Sequence, residues 1–75
     1  MKDKNYAHIT SSNIKCLINQ RGITISNLAK AIGIPPTTLR DSLYTKKGIN
    51  IDNLVRISVY FNLTVNDLCN ENLLA

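Results

Sequence analysis

The sequence predicts an all-α domain, on three observations. Apolar residues recur at helical spacing in each segment, and no segment shows the two-residue alternation of a strand. The breaks between segments carry Gly22, Gly33-Ile34-Pro35 and Asn62, residues that end helices. Five helices are expected, near residues 11–21, 25–32, 36–44, 51–61 and 65–70.

Residues 1–9 read as a flexible N-terminal arm. Its Lys2 and Lys4 can reach a phosphate backbone or simply fray in solvent. The triplet Thr10-Ser11-Ser12 offers N-caps for a first helix with Ile14, Leu17 and Ile18 as its apolar stripe. Arg21 and Gly22 end it, a cation and then a glycine. Thr24 can cap the second helix, whose inward stripe is Ile25, Leu28, Ala29 and Ile32. Gly33 stops it, because glycine takes the left-handed C-terminal conformation without steric cost. Ile34 re-enters the core, Pro35 forbids continuation, and Pro36 fits a first helical turn, where no backbone donor is needed.

Leu39 and Leu43 bury the third helix and leave Thr37, Thr38, Arg40, Asp41 and Tyr44 facing out. A helix, a glycine turn and a second helix with an outward polar face is a helix-turn-helix signature. A basic loop, Thr45-Lys46-Lys47-Gly48-Ile49, follows. Asn50 caps the fourth helix, with Ile51, Leu54, Ile57, Ser58 and Phe61 inward and Asp52 suiting the dipole at its start. Asn62 can end it in the left-handed geometry. Thr64 caps a short fifth helix with Val65, Leu68 and Cys69 inward, and residues 71–75 form a short tail. Val55, Val59, Tyr60, Leu73 and Leu74 are left over. They either close over the protein's own core or meet a partner.

Composition narrows the function. Seventy-five residues make one domain, which buries only ~60% of its unfolded surface. Residues 1–48 carry eight Lys/Arg against two acids, +6, and residues 49–75 carry one against three, −2, within a total of +4. The positive half holds the helix-turn-helix, as a phosphate partner requires. No apolar run is long enough to span a membrane, and the leader lacks a signal core, so a cytoplasmic location is expected. Cys16 and Cys69 are far apart and lack a paired-ligand context, and the single histidine, His8, lies in the leader. No metal or other cofactor is therefore expected, and the thiols read as small buried or half-buried groups. A disulfide is not expected in that compartment. With its five acids scattered singly, the chain offers no acid–base pair and is read as no enzyme.

One family arranges such pieces in this order. Gly22-Ile23-Thr24, Leu28-Ala29, Ile32-Gly33-Ile34, Thr37-Thr38-Leu39, Asn50-Ile51 and residues 61–68 (FNLTVNDL) stand where it has its motifs. The run from Asn13 to Leu68 thus resembles the Cro/CI-type (Xre-like) helix-turn-helix domain of phage and bacterial repressors. The resemblance implies a compact five-helix, lambda-repressor-like fold over residues 10–70. It also implies a sequence-specific transcriptional regulator, most simply a repressor, that inserts helix 36–44 in the major groove of double-stranded DNA. Carried over to this chain, Pro36, Thr37, Thr38, Arg40, Asp41 and Tyr44 would meet bases. Thr24, Ser26, Asn27, Arg40, Thr45, Lys46 and Lys47 would hold phosphates.

Two places depart from the family. Ile25 stands where a phosphate-contacting Gln is common, with Asn27 where a Glu completes the capping box. Pro36 stands where some repressors carry a base-reading Gln, so it offers only apolar contact. So few base-reading groups on one helix imply a homodimer on a near-palindromic site, paired through Val55, Val59, Tyr60, Leu73 and Leu74. No small-molecule ligand is expected, since the chain has no room for an effector domain. The alternative is an antitoxin-like or other protein-interaction module that keeps the fold with little DNA binding.

Overall fold

A computed structural model describes residues 6–45 and 48–74, with side chains from His8 onward. It contains α1 (Tyr6–Arg21), α2 (Ile25–Ile32), α3 (Pro36–Tyr44), α4 (Ile51–Phe61) and α5 (Val65–Leu68), with no strand among the described residues. α2 packs on α3 and α4, α1 packs on α3 and α5, and α5 closes against α4. The core they share is Ile14, Leu17, Ile18, Leu28, Ala29, Ile32, Leu39, Leu43, Leu54, Ile57, Phe61 and Leu68.

Three of the helix ends are built alike. After α1, α2 and α4 the chain passes through one left-handed residue: Gly22 at φ 67°, Gly33 at φ 80° and Asn62 at φ 60°. The next amide reaches back five residues in each case: Ile23 N–H to Ile18 O at 3.2 Å, Ile34 to Ala29 O at 3.0 Å, and Leu63 to Ser58 O at 2.8 Å. This is the Schellman closure, which satisfies carbonyls the helix cannot. Each donor also carries an apolar side chain packed against the core, so the bond and the burial fix the exit direction together. The starts are equally defined. Thr24, Asn50 and Thr64 side chains accept from the amides of Asn27, Asn53 and Asp67.

α1 begins at Tyr6, five residues before the expected start. Tyr6 to Ile9, read as part of a loose arm, are helical. Thr10, Ser11 and Ser12 lie inside the helix instead of capping it. Tertiary contacts explain the difference. Thr10 and Ser11 are buried, Thr10 Oγ1 donates to Cys69 Sγ at 3.3 Å, and Asn13 Nδ2 donates to Leu68 O at 2.8 Å and Asn70 O at 2.9 Å. The polar face that looked like a helix start is the seam against the end of α5. The remainder of the expected arm, including Lys2 and Lys4, lies outside the described residues.

Two inward assignments fail. Ile51 is 64% exposed. At 100° per residue it stands a quarter-turn off the line through Leu54, Ile57 and Phe61, and Asn53 takes the buried place in that turn. Cys16 is exposed, on the side of α1 opposite Ile14 and Leu17, whereas Cys69 is half-buried as expected; both thiols are free. No helix among the described residues is long and apolar enough to cross a membrane.

Candidate nucleic-acid interface

The polar surface of the helix-turn-helix starts at the opening of α2. Thr24 Oγ1 accepts from Asn27 N–H at 3.0 Å, and Asn27 Oδ1 accepts from Thr24 N–H at 3.0 Å. Asn27 therefore completes the capping box in place of the longer residue the family uses. The pairing uses one acceptor on each side chain. The Thr24 hydroxyl proton and the Asn27 NH₂ are left as donors on exposed residues, which is the polarity a phosphate needs. Ser26 is exposed beside them, while Ile25 is half-buried against the core and offers no donor.

Gly33, Ile34 and Pro35 then turn the chain into α3. Pro35 is extended, at φ −63° and ψ 140°, and no side chain caps the helix start. Leu39 at 0% and Leu43 at 2% exposure fix which face of α3 is inward. Thr37, Asp41 and Tyr44, at i, i+4 and i+7, form the opposite stripe, flanked by Pro36, Thr38 and Arg40, and all six are exposed. At the far end Thr45 Oγ1 and N–H both donate to Asp41 O, at 2.6 and 3.0 Å, and Ser42 Oγ donates to Thr38 O at 3.0 Å. Tyr44 is 62% exposed, and Lys15 Nζ from α1 sits 4.4 Å from its ring centroid.

The expected site residues that are described thus lie on adjoining surfaces, the N-terminus of α2 and the outer face of α3. Lys46 and Lys47 fall outside the described residues. The sequence reading missed Lys15, because its contact depends on how α1 crosses the end of α3, which no local spacing announces. Two other cations are committed to the frame. Arg56 donates to Ile32 O at 3.1 Å and Arg21 to Phe61 O at 3.4 Å, each at the carbonyl end of a helix.

A separate apolar groove of about 430 Å³ runs between α2 and α4, lined by Ala31, Ile32, Val55, Arg56, Val59 and Tyr60. Val55, Val59 and Tyr60 are 45%, 72% and 38% exposed. Leu73 is half-buried against the core and Leu74 is 37% exposed, and neither lines this groove. Ala31 and Arg56 joined the groove unforeseen, because they come from the pairing of two helices. No cluster of three or more His, Cys, Asp or Glu with the geometry to hold a metal ion is present among the described residues.

Residues 13–71 match a family model described as the Cro/C1-type HTH DNA-binding domain. No curated protein and no solved structure gives a significant match.

Proposed function

The chain belongs to the Cro/C1-type helix-turn-helix DNA-binding family, and from that premise we propose that it is a sequence-specific transcriptional repressor whose α3 enters the major groove. The observation that carries this reading is the stripe Thr37, Asp41 and Tyr44, turned outward by the burial of Leu39 and Leu43 beside a donor-bearing α2 N-terminus. Thr37, Thr38 and Asp41 read base edges, with Asp41 accepting from a cytosine amino group and repelling phosphate elsewhere. Pro36 offers apolar contact only. Thr24, Ser26, Asn27, Arg40, Thr45, Lys46 and Lys47 hold the two backbones, which sets register without reading sequence.

Three short polar side chains on one helix are a small reading set. A homodimer on a two-fold site doubles it and places two recognition helices ~34–36 Å apart. The apolar groove with Val55, Val59 and Tyr60 is the surface that supports pairing.

The test is a titration of labelled duplex DNA across a salt series. Several phosphate contacts make log affinity fall steeply with log salt, by ~0.9 per contact. Absence of duplex binding at low salt would overturn the reading and leave the fold as a protein-interaction module.

A further inference from the structure

Arg21 and Arg56 each donate to a backbone carbonyl at a helix end, and Arg21 also lies over the buried Phe61 ring, whereas Lys15 lies over a ring on the exposed face of α3. It stands in the middle of α1, half-buried, with its ammonium 4.4 Å from the centroid of the Tyr44 ring. A cation over a π face is held in place but not neutralised. Such a contact orders the long side chain and leaves its three N–H donors for an oxygen acceptor.

The ring that holds it belongs to the last residue of the Thr37–Asp41–Tyr44 stripe, so the ammonium is pinned where the outer face of α3 ends. Lys15 and Tyr44 also line one open groove of about 420 Å³ with Asn19, Ile23 and Ile25. The groove joins α1, the turn into α2 and the final turn of α3. A DNA strand lying along the α2 N-terminus and the end of α3 crosses it. The Ile25 side chain, which also lines the groove, has no donor to offer that strand.

Resting on the DNA-binding reading above, we infer that Lys15 binds one backbone phosphate of the duplex and that Tyr44 is the positioning residue that holds it there. Tyr44 then serves affinity through Lys15 instead of reading a base.

The experiment compares the full chain with Lys15→Gln, Tyr44→Phe, Tyr44→Leu and the Lys15→Gln/Tyr44→Leu double variant. The probe is a pool of random-sequence duplexes, titrated over a salt series, with circular dichroism to verify the fold. Lys15→Gln should weaken binding alike on all sequences and reduce the log–log salt slope by ~1. Tyr44→Phe keeps the ring under the ammonium and should keep the Lys15 share of the salt slope, which Tyr44→Leu loses. Tyr44→Leu should move affinity and slope in the direction of Lys15→Gln, and the double variant should go no further than Lys15→Gln alone. A folded Lys15→Gln variant with the parent's slope would overturn the phosphate assignment while leaving DNA binding intact. A folded Tyr44→Leu variant with the parent's affinity and slope would overturn the positioning role. A parent chain that binds the pool without salt dependence, or not at all, would remove both this inference and the reading beneath it.

Discussion

Gly33 sets the angle between α2 and α3, and its backbone is the reason. At φ 80° it lies where a side chain is strained whatever space surrounds it, and a built Cβ meets nothing nearer than the Arg56 guanidinium at 4.0 Å. Gly33→Ala should therefore cost ~1–2 kcal/mol through backbone strain alone, read as a lower urea midpoint with an unchanged slope. Asn62 holds the same conformation with a side chain that tolerates it. Asn13 is the corresponding point on the other side of the molecule. Its buried amide bridges to two carbonyls, one on the last residue of α5 and one just past it, so Asn13→Ala leaves Leu68 O and Asn70 O without that donor. The expected loss is ~1–3 kcal/mol by the same unfolding measurement. An unchanged midpoint would mean that water replaces the amide at no cost.

At the scale of elements, α2, α3 and α4 were legible to the residue. Each carries local signals at both ends: Thr24 and Gly33, Pro36 and the core leucines, Asn50 and Asn62. α1 was legible only at its C-terminal end. Its true start is hidden because Thr10 and Asn13 are polar residues whose partners lie more than fifty positions away, and a local reading sees such residues as caps. The outer face of α3 was legible because burial of Leu39 and Leu43 leaves only one orientation. The Lys15–Tyr44 contact and the α2–α4 groove were not, since each belongs to a pair of helices and to neither alone. The basic loop after α3 carries its own prediction. Lys46→Ala and Lys47→Ala should each lower the salt slope of duplex binding by ~1 without changing which sequence is preferred. If both variants bind like the parent at physiological salt, the loop does not touch the backbone.

At the scale of the whole molecule, charge and apolar surface are separated. The basic excess lies in the half of the sequence that contains α2 and α3, and four of the exposed apolar residues, Ile51, Val55, Val59 and Tyr60, lie on α4, the last three of them lining the groove beside the end of α2. This arrangement lets one surface meet DNA while another meets a second copy of the chain. A two-fold pair is self-complementary, so each protomer must offer the same patch. Val59, at 72% exposure, contributes little to its own fold. Val59→Asp should keep the helical spectrum and the melting behaviour of the parent while blocking pairing. Sedimentation with operator DNA should give two parent chains per duplex, and weaker, single-chain occupancy for the variant. One parent chain per duplex at saturation would exclude dimeric readout.

The central claim is that the outer face of α3 reads DNA sequence, and selection from a fully randomised duplex pool tests it most directly, with the parent chain and Asp41→Asn run side by side. The account predicts that the parent enriches a two-fold motif with half-sites one helical turn apart. It further predicts that Asp41→Asn shifts the preference at one position of each half-site from cytosine toward adenine, because Asn pairs with adenine where Asp accepts from cytosine. A parent pool no richer in any motif than the input, or the same consensus from both proteins, would contradict it.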